Sequence, residues 1–149
     1  MENNGISDDQ ISASSELSLN HKANQGRLYY KADGGKGGAW SAKTTDGNPW
    51  LQIDLGGLYA TVTAVATQGR HNKDEWVTEY MLQYSNETLN FQNYREPGQT
   101  EAWENKSIYK HFSFFARKAC LSCLYVVAVL IVLTHFQLST KMTVHEFYI

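Results

Sequence analysis

From Trp50 to Leu55 the chain reads Trp-Leu-Gln-Ile-Asp-Leu, with apolar and polar residues alternating through its middle, and Gly56 and Gly57 follow at once. A period of two sends one face of an extended segment into a core and the other toward solvent, so this run reads as a half-buried strand. The pattern recurs: Val62 to Thr67 is β-branched and small, and Tyr80, Leu82 and Tyr84 alternate with Glu79, Met81 and Gln83. Ser85 to Asn90 reads as a turn before Phe91 and Tyr94, while the glycine cluster from Asp33 to Gly38 and the polar stretch from His71 to Glu75 hold no apolar period and read as exposed loops. No apolar repeat at helical spacing occurs before residue 100. The expected class is therefore all-β, a sandwich of two packed sheets, with antiparallel strands near Trp50 to Leu55, Thr61 to Thr67 and Glu79 to Tyr84, and with Ile53, Val65, Leu82 and Tyr84 in the core.

Charge and motif content narrow the function. Residues 1 to 100 carry eight Lys or Arg against twelve Asp or Glu, a net of −4, and residues 101 to 149 carry five against three, a net of +2. The first segment lacks the basic field that drives most nucleic-acid affinity, so nucleic acid is not an expected partner. His21, His71, His111, His135 and His145 never stand at metal-ligand spacing, and no nucleophile-elbow, zinc-protease or phosphate-loop pattern occurs. Asp33, Asp46, Asp54 and Asp74 are not spaced as calcium ligands, and Cys120-Leu-Ser-Cys123 lacks the two further ligands that zinc would need. The chain reads as non-enzymatic, with no catalytic residue, cofactor or metal site.

The character changes after Glu101. Lys106, Lys110, Arg117 and Lys118 make a basic stretch over 101–118, and an apolar run extends from Ala119 to Phe136, ten of whose eighteen residues are Leu, Ile, Val or Phe. A run apolar on every helical face, about 27 Å long at 1.5 Å per residue, reads as a hydrophobic or transmembrane helix just short of a hydrocarbon core, followed by a short tail over 137–149. Only Lys141 follows the run, so the positive-inside tendency would hold the N-terminal domain on the cytoplasmic side.

Several ordered segments resemble the discoidin domain, the coagulation factor five/eight type C family. They are Met-Glu-Asn-Asn-Gly-Ile-Ser-Asp-Asp-Gln-Ile-Ser-Ala-Ser-Ser from Met1, Gly-Ala-Trp-Ser-Ala-Lys from Gly38, Trp-Leu-Gln-Ile-Asp-Leu-Gly from Trp50, Val-Ala-Thr-Gln-Gly-Arg from Val65, Trp-Val-Thr-Glu-Tyr from Trp76, Leu-Gln-Tyr-Ser from Leu82, and Phe91 to Gly98. The resemblance implies a jelly-roll β-sandwich over residues 1–100 whose loops at one end bind cell-surface glycans, phospholipid headgroups or extracellular protein ligands. By position those loops are 16–24, 31–38 and 71–75, which makes Leu17, Leu19, Asn20, His21, Lys22, Asp33, Lys36, His71, Asn72, Lys73 and Asp74 the candidate ligand-binding residues, with Trp76 at the point where the third loop enters a strand. Trp40 and Trp50 sit beside strand patterns and read as core indoles. The chain departs from the family in lacking its terminal cysteines and any counterpart of its closing strands after about Thr100, so the expected sandwich is incomplete and the chain reads as a fragment.

Three functional readings follow. The first is an extracellular recognition or adhesion module, the second a membrane-anchored protein of discoidin type inserted through Ala119 to Phe136, and the third a carbohydrate-binding accessory domain severed from a glycan-processing enzyme. Location at the cell surface or outside the cell is implied by the resemblance, although Met1 to Gln10 shows neither the basic nor the apolar region of a signal peptide. Asn86-Glu-Thr and Asn105-Lys-Ser match the N-glycosylation acceptor pattern, with Asn86 in an expected turn.

Overall fold

The computed structural model describes residues 5–55, 60–62, 65–77, 79–86, 90–95, 98–101, 104–106, 111–114, 121–123, 125–129 and 144–145. Their strands are β1 (Ile11–Ala13), β2 (Trp50–Asp54), β3 (Ala60–Val62), β4 (Val65–Gln68), β5 (Glu79–Ser85), β6 (Gln92–Asn93), β7 (Glu104–Lys106), β8 (His111–Phe114), β9 (Leu121–Cys123), β10 (Tyr125–Val129) and β11 (Val144–His145). The largest sheet runs β1-β2-β10-β5-β6, with β7 also paired to β5. A second sheet runs β11-β4-β8, and β3 pairs with β9. Every pairing among the described residues is antiparallel. The only helical elements among the described residues are three short 3₁₀ turns, Asp8–Gln10, Leu19–His21 and Ala23–Gln25.

The alternation in β2 does what its sequence demands. Leu51 is fully buried and Ile53 nearly so, while Trp50, Gln52 and Asp54 are half-buried. Ile11 stands opposite Ile53 and Ala13 opposite Leu51, so the buried row crosses from β2 into β1. Val65 and Leu82 are buried as expected; Tyr84 is half-buried and packs against the core. Trp40 is core, 1% exposed, whereas Trp50 is half-buried at the head of β2. Full burial of a Leu or Ile side chain contributes roughly 1.5–3 kcal/mol, so Leu51 and Ile53 are among the main local sources of stability.

Part of the apolar run 119–136, for which a helix was expected, lies among the described residues. Leu121–Cys123 and Tyr125–Val129 are strands, not helix; the rest of the run lies outside the described residues. β10 is the central strand of the main sheet. Val126 stands opposite Ile53 on one side and Tyr84 on the other, and Ala128 opposite Leu51 and Leu82. An unbroken apolar stretch suits a helix buried all round and equally a strand covered on both faces, and Tyr-Val-Val-Ala-Val is rich in residues that favour strands. The sheet therefore draws strands from beyond Thr100, where the sequence implied that none followed. Among the described residues no helix is long and apolar enough to cross a membrane.

A polar cluster ties β1 to the turn before β2. Asp46 Oδ2 accepts from the hydroxyls of Ser14 (2.6 Å) and Ser15 (2.5 Å), and Asp46 Oδ1 accepts from the Asn48 N–H (3.1 Å). Ser14 Oγ in turn accepts from the Trp50 N–H, and the Trp40 indole N–H donates to the Ser15 carbonyl at 2.9 Å. Burial opposes ionisation of Asp46, but the Ser14, Ser15 and Asn48 hydrogen bonds outweigh it and hold the carboxyl below its ordinary range.

Two predictions follow from this architecture. Val127 lies opposite Gln52 and Gln83 inside a doubly paired strand, so Val127→Pro removes a ladder donor whichever neighbour its N–H faces, and loss of about 3 kcal/mol or more is expected in urea unfolding. A variant as stable as the parent would show that β10 does not hold the sheet together. For Asp46, the lowered folded-state value means its stabilisation is present above the unfolded carboxylate value near 3.9 and is lost as pH falls through the folded value. Asp46→Asn should cost about 1.5–3 kcal/mol at pH 7, the worth of a charged hydrogen bond, with parent and variant converging in thermal melts as pH falls below the unfolded carboxylate value.

Candidate functional site

The three expected loops meet at one residue, Gly37. The Gly37 N–H donates to the Asn20 carbonyl at 2.6 Å and is shared with Gln25 Oε1 at 3.2 Å. The Gly37 carbonyl accepts from Arg70 Nε, and Arg70 Nη1 pairs with Glu75 Oε2 at 2.9 Å. Loop 16–24, loop 31–38 and loop 71–75 are thereby joined through one peptide and one guanidinium. A side chain at position 37 would collide with the His21 ring and the Asn20 carbonyl, which is why glycine stands there. Gly38 has φ +76°, and a Cβ on it would press on Ala32.

The first loop is shaped from within. Glu16 Oε1 accepts from the Ala23 N–H at 2.7 Å across the loop's base, and the Leu17 N–H donates to the Ser41 carbonyl at 2.8 Å. Ser18 caps the turn Leu19–His21, its hydroxyl accepting from the Asn20 N–H and lying 3.0 Å from His21 Nδ1. This leaves Leu17 and Leu19 projecting, at 42% and 78% exposure, with Asn20 and Lys22 also exposed and His21 half-buried.

In the second loop Lys31, Asp33 and Lys36 are exposed, and the Lys36 ammonium lies 5.8 Å from the Tyr30 ring centroid. In the third, His71, Asn72, Lys73 and Asp74 are exposed, and the Arg70 N–H donates to the Glu75 carbonyl at 2.9 Å, closing the loop at its neck. Trp76 is half-buried, with its indole nitrogen enclosed and without a hydrogen-bond partner among the described residues. Lys22, Lys31, Lys36 and Lys73 are set against Glu16, Asp33, Asp74 and Glu75, so the three loops carry no excess of either sign. Among the described residues no three His, Cys, Asp or Glu side chains cluster as a metal site.

The structure adds residues that the sequence reading did not single out. Arg70 and Glu75 are the clasp, and Gly37 is the joint. Tyr29 is 57% exposed with φ +55°, its N–H donating to Gln68 Oε1 at 2.9 Å, which fastens the start of the second loop to the end of β4. Arg70 and Gln68 belong to a segment that carried the family resemblance, but Gly37 and Tyr29, which they bond, are far away in sequence. Of the acceptor-pattern asparagines, Asn86 is exposed just beyond β5, and Asn105 lies within β7 opposite Tyr80.

The F5/8 type C domain model matches residues 10–117, more than half of the chain, and the chain belongs to that family. Domains of this family are carbohydrate- or lipid-binding modules, typically non-enzymatic and usually extracellular or secreted. Among solved structures, wild-type discoidin II from Dictyostelium discoideum is similar with a TM-score of 0.72 at 15% identity, over 90% of this chain and 52% of that one. The lectin domain of Lectinolysin complexed with Lewis B antigen is similar with a TM-score of 0.53 at 18% identity, over 91% of this chain and 84% of that one. At these identities the likeness establishes the fold. The chain spans about half the length of discoidin II.

The clasp makes its own prediction. Arg70→Ala leaves the Gly37 carbonyl and a largely enclosed Glu75 carboxylate without this donor, so a loss of about 1.5–3 kcal/mol is expected in chemical denaturation. Faster amide hydrogen exchange should accompany it in both 31–38 and 71–75. Exchange confined to 71–75 would show that the two loops are not coupled through Arg70.

Proposed function

We propose that this chain is a non-enzymatic extracellular recognition module that binds cell-surface glycans through loops 16–24, 31–38 and 71–75. The observation that carries the reading is the junction at Gly37, which joins the three loops in a hydrogen-bonded frame while leaving Asn20, Lys22, Asp33, Lys36, His71, Asn72, Lys73 and Asp74 exposed. Ammonium, amide, imidazole and carboxylate groups held on a fastened scaffold suit the hydroxyl-rich surface of a sugar, because polar donors and acceptors bind best when little ordering remains. The Lewis B complex of the similar lectin domain supports a saccharide ligand. Balanced charge argues for neutral glycans over anionic headgroups, whose attraction grows with the number of Lys and Arg near the surface.

A second reading, phospholipid membrane, is favoured by one feature: Leu17 and Leu19 project from the same loop. Binding of the full chain to a neutral glycan array and to liposomes with and without phosphatidylserine separates the two. Glycan binding is expected, with at least a tenfold loss on combining Asn20→Ala, Lys36→Ala and Lys73→Ala, exposed positions whose truncation should leave the fold intact. Undiminished glycan binding by a folded form with all three loops replaced would sink the site assignment, and liposome binding abolished by Leu19→Ser would favour the membrane reading.

A further inference from the structure

At the far end of β5 from the third loop lies an open cleft of ≈ 440 Å³, lined by Tyr84, Gln92, Asn93, Tyr94 and Arg95. β5 starts shortly after loop 71–75 and runs away from it, so Tyr84 is about 17 Å along the strand from Glu79 at roughly 3.3–3.4 Å per residue. The cleft therefore belongs to a different part of the domain from the loop site. We propose that it is a second ligand site, for a saccharide bearing a carboxylate or sulfate group.

The chemistry of the lining supports this class. Its volume lies within the range of small-molecule sites, and its walls combine two tyrosines, two side-chain amides and one guanidinium. Of the two tyrosines the half-buried Tyr84 is the one able to offer a ring face to the apolar side of a sugar, and amides match vicinal hydroxyls with paired donors and acceptors. Arg95 is exposed and, among the described residues, makes no ion pair and is the one charged group in the lining. A planar guanidinium beside uncharged donors selects an anionic group that it can bind with two parallel hydrogen bonds.

The frame is built before any ligand arrives. Gln92 stands opposite Tyr84 and Asn93 opposite Gln83 across the β5–β6 pair, and the Tyr94 N–H donates to the Leu82 carbonyl at 2.8 Å. Gln83 Nε2 donates to Asn93 Oδ1 at 2.6 Å, which holds that amide and leaves its NH₂ as a donor. The Ser85 hydroxyl donates to the Asn90 carbonyl at 2.6 Å and closes the turn that leads into β6. Tyr94 itself is 3% exposed, so the cleft floor is anchored in the core.

The test is calorimetric titration of the full chain with 3′-sulfolactose, 3′-sialyllactose and lactose. Both acidic sugars should bind at least tenfold more tightly than lactose, with the difference shrinking as salt rises, and their ranking separates sulfate from carboxylate as the preferred group. Arg95→Gln should abolish the acidic preference. Asn93→Asp, which sets a carboxylate beside the guanidinium at an exposed position, should abolish it too. Equal binding of all three sugars by the parent chain overturns the proposal, as does an acidic preference that survives both substitutions. Because the variants lie outside the three loops, loss of the acidic preference can be told apart from loss of loop-mediated glycan binding.

Discussion

Burial of Leu51 and Ile53 on one face of β2 is the constraint around which the domain is organised. A strand with two such residues cannot stand at an uncovered edge, and here it is paired on one side by β1 and on the other by β10. Each neighbour brings its own apolar positions into register with the same two residues, Ile11 and Ala13 from one side, Val126 and Ala128 from the other. β5 then joins through β10, which places Leu82 and Tyr84 in the same rows. The ends of these strands decide where the connecting segments emerge, and so where loops can carry polar chemistry.

The polar side of the molecule is organised by a few charged groups that reach backbone. Asp46 gathers two serine hydroxyls and a main-chain N–H before β2, and Arg70 gathers a carbonyl and a carboxylate after β4. Both act over long sequence separations, and both lie next to loops whose shape they set. Ser15 bonds to Asp46 and is followed directly by Glu16, which spans the first loop; Arg70 is followed directly by the exposed third loop. The rigid framework and the exposed binding groups are thus adjacent in sequence yet separate in duty.

How much of this was legible beforehand depended on whether a pattern was local. β2 and β5 were readable because their alternation is contained within five to seven residues. The three loops were readable as apolar gaps, and the family resemblance gave them a shared end of the sandwich. Their junction was not, since nothing in Lys-Gly-Gly or Gln-Gly-Arg states that a carbonyl at 37 will accept from a guanidinium at 70. β10 was harder to read: Tyr-Val-Val-Ala-Val carries no polar alternation, and by spacing alone an unbroken apolar run cannot be told apart as strand or helix. Tyr84 is half-buried, beside the open cleft that it lines.

The shortness of the outermost strands has a consequence for how copies of this domain meet. The main sheet ends in β1 on one side, and on the other β5 is flanked by β6 and β7, strands of three, two and three residues, while the seven-residue β5 is kept inside. Among the described residues, a foreign chain seeking to extend the sheet at one of these short strands would find only a few consecutive backbone groups, too few to offset the entropy of lining up its own backbone. Crowding many such domains on one surface should therefore bring them together through side chains and ligands, not through shared sheets.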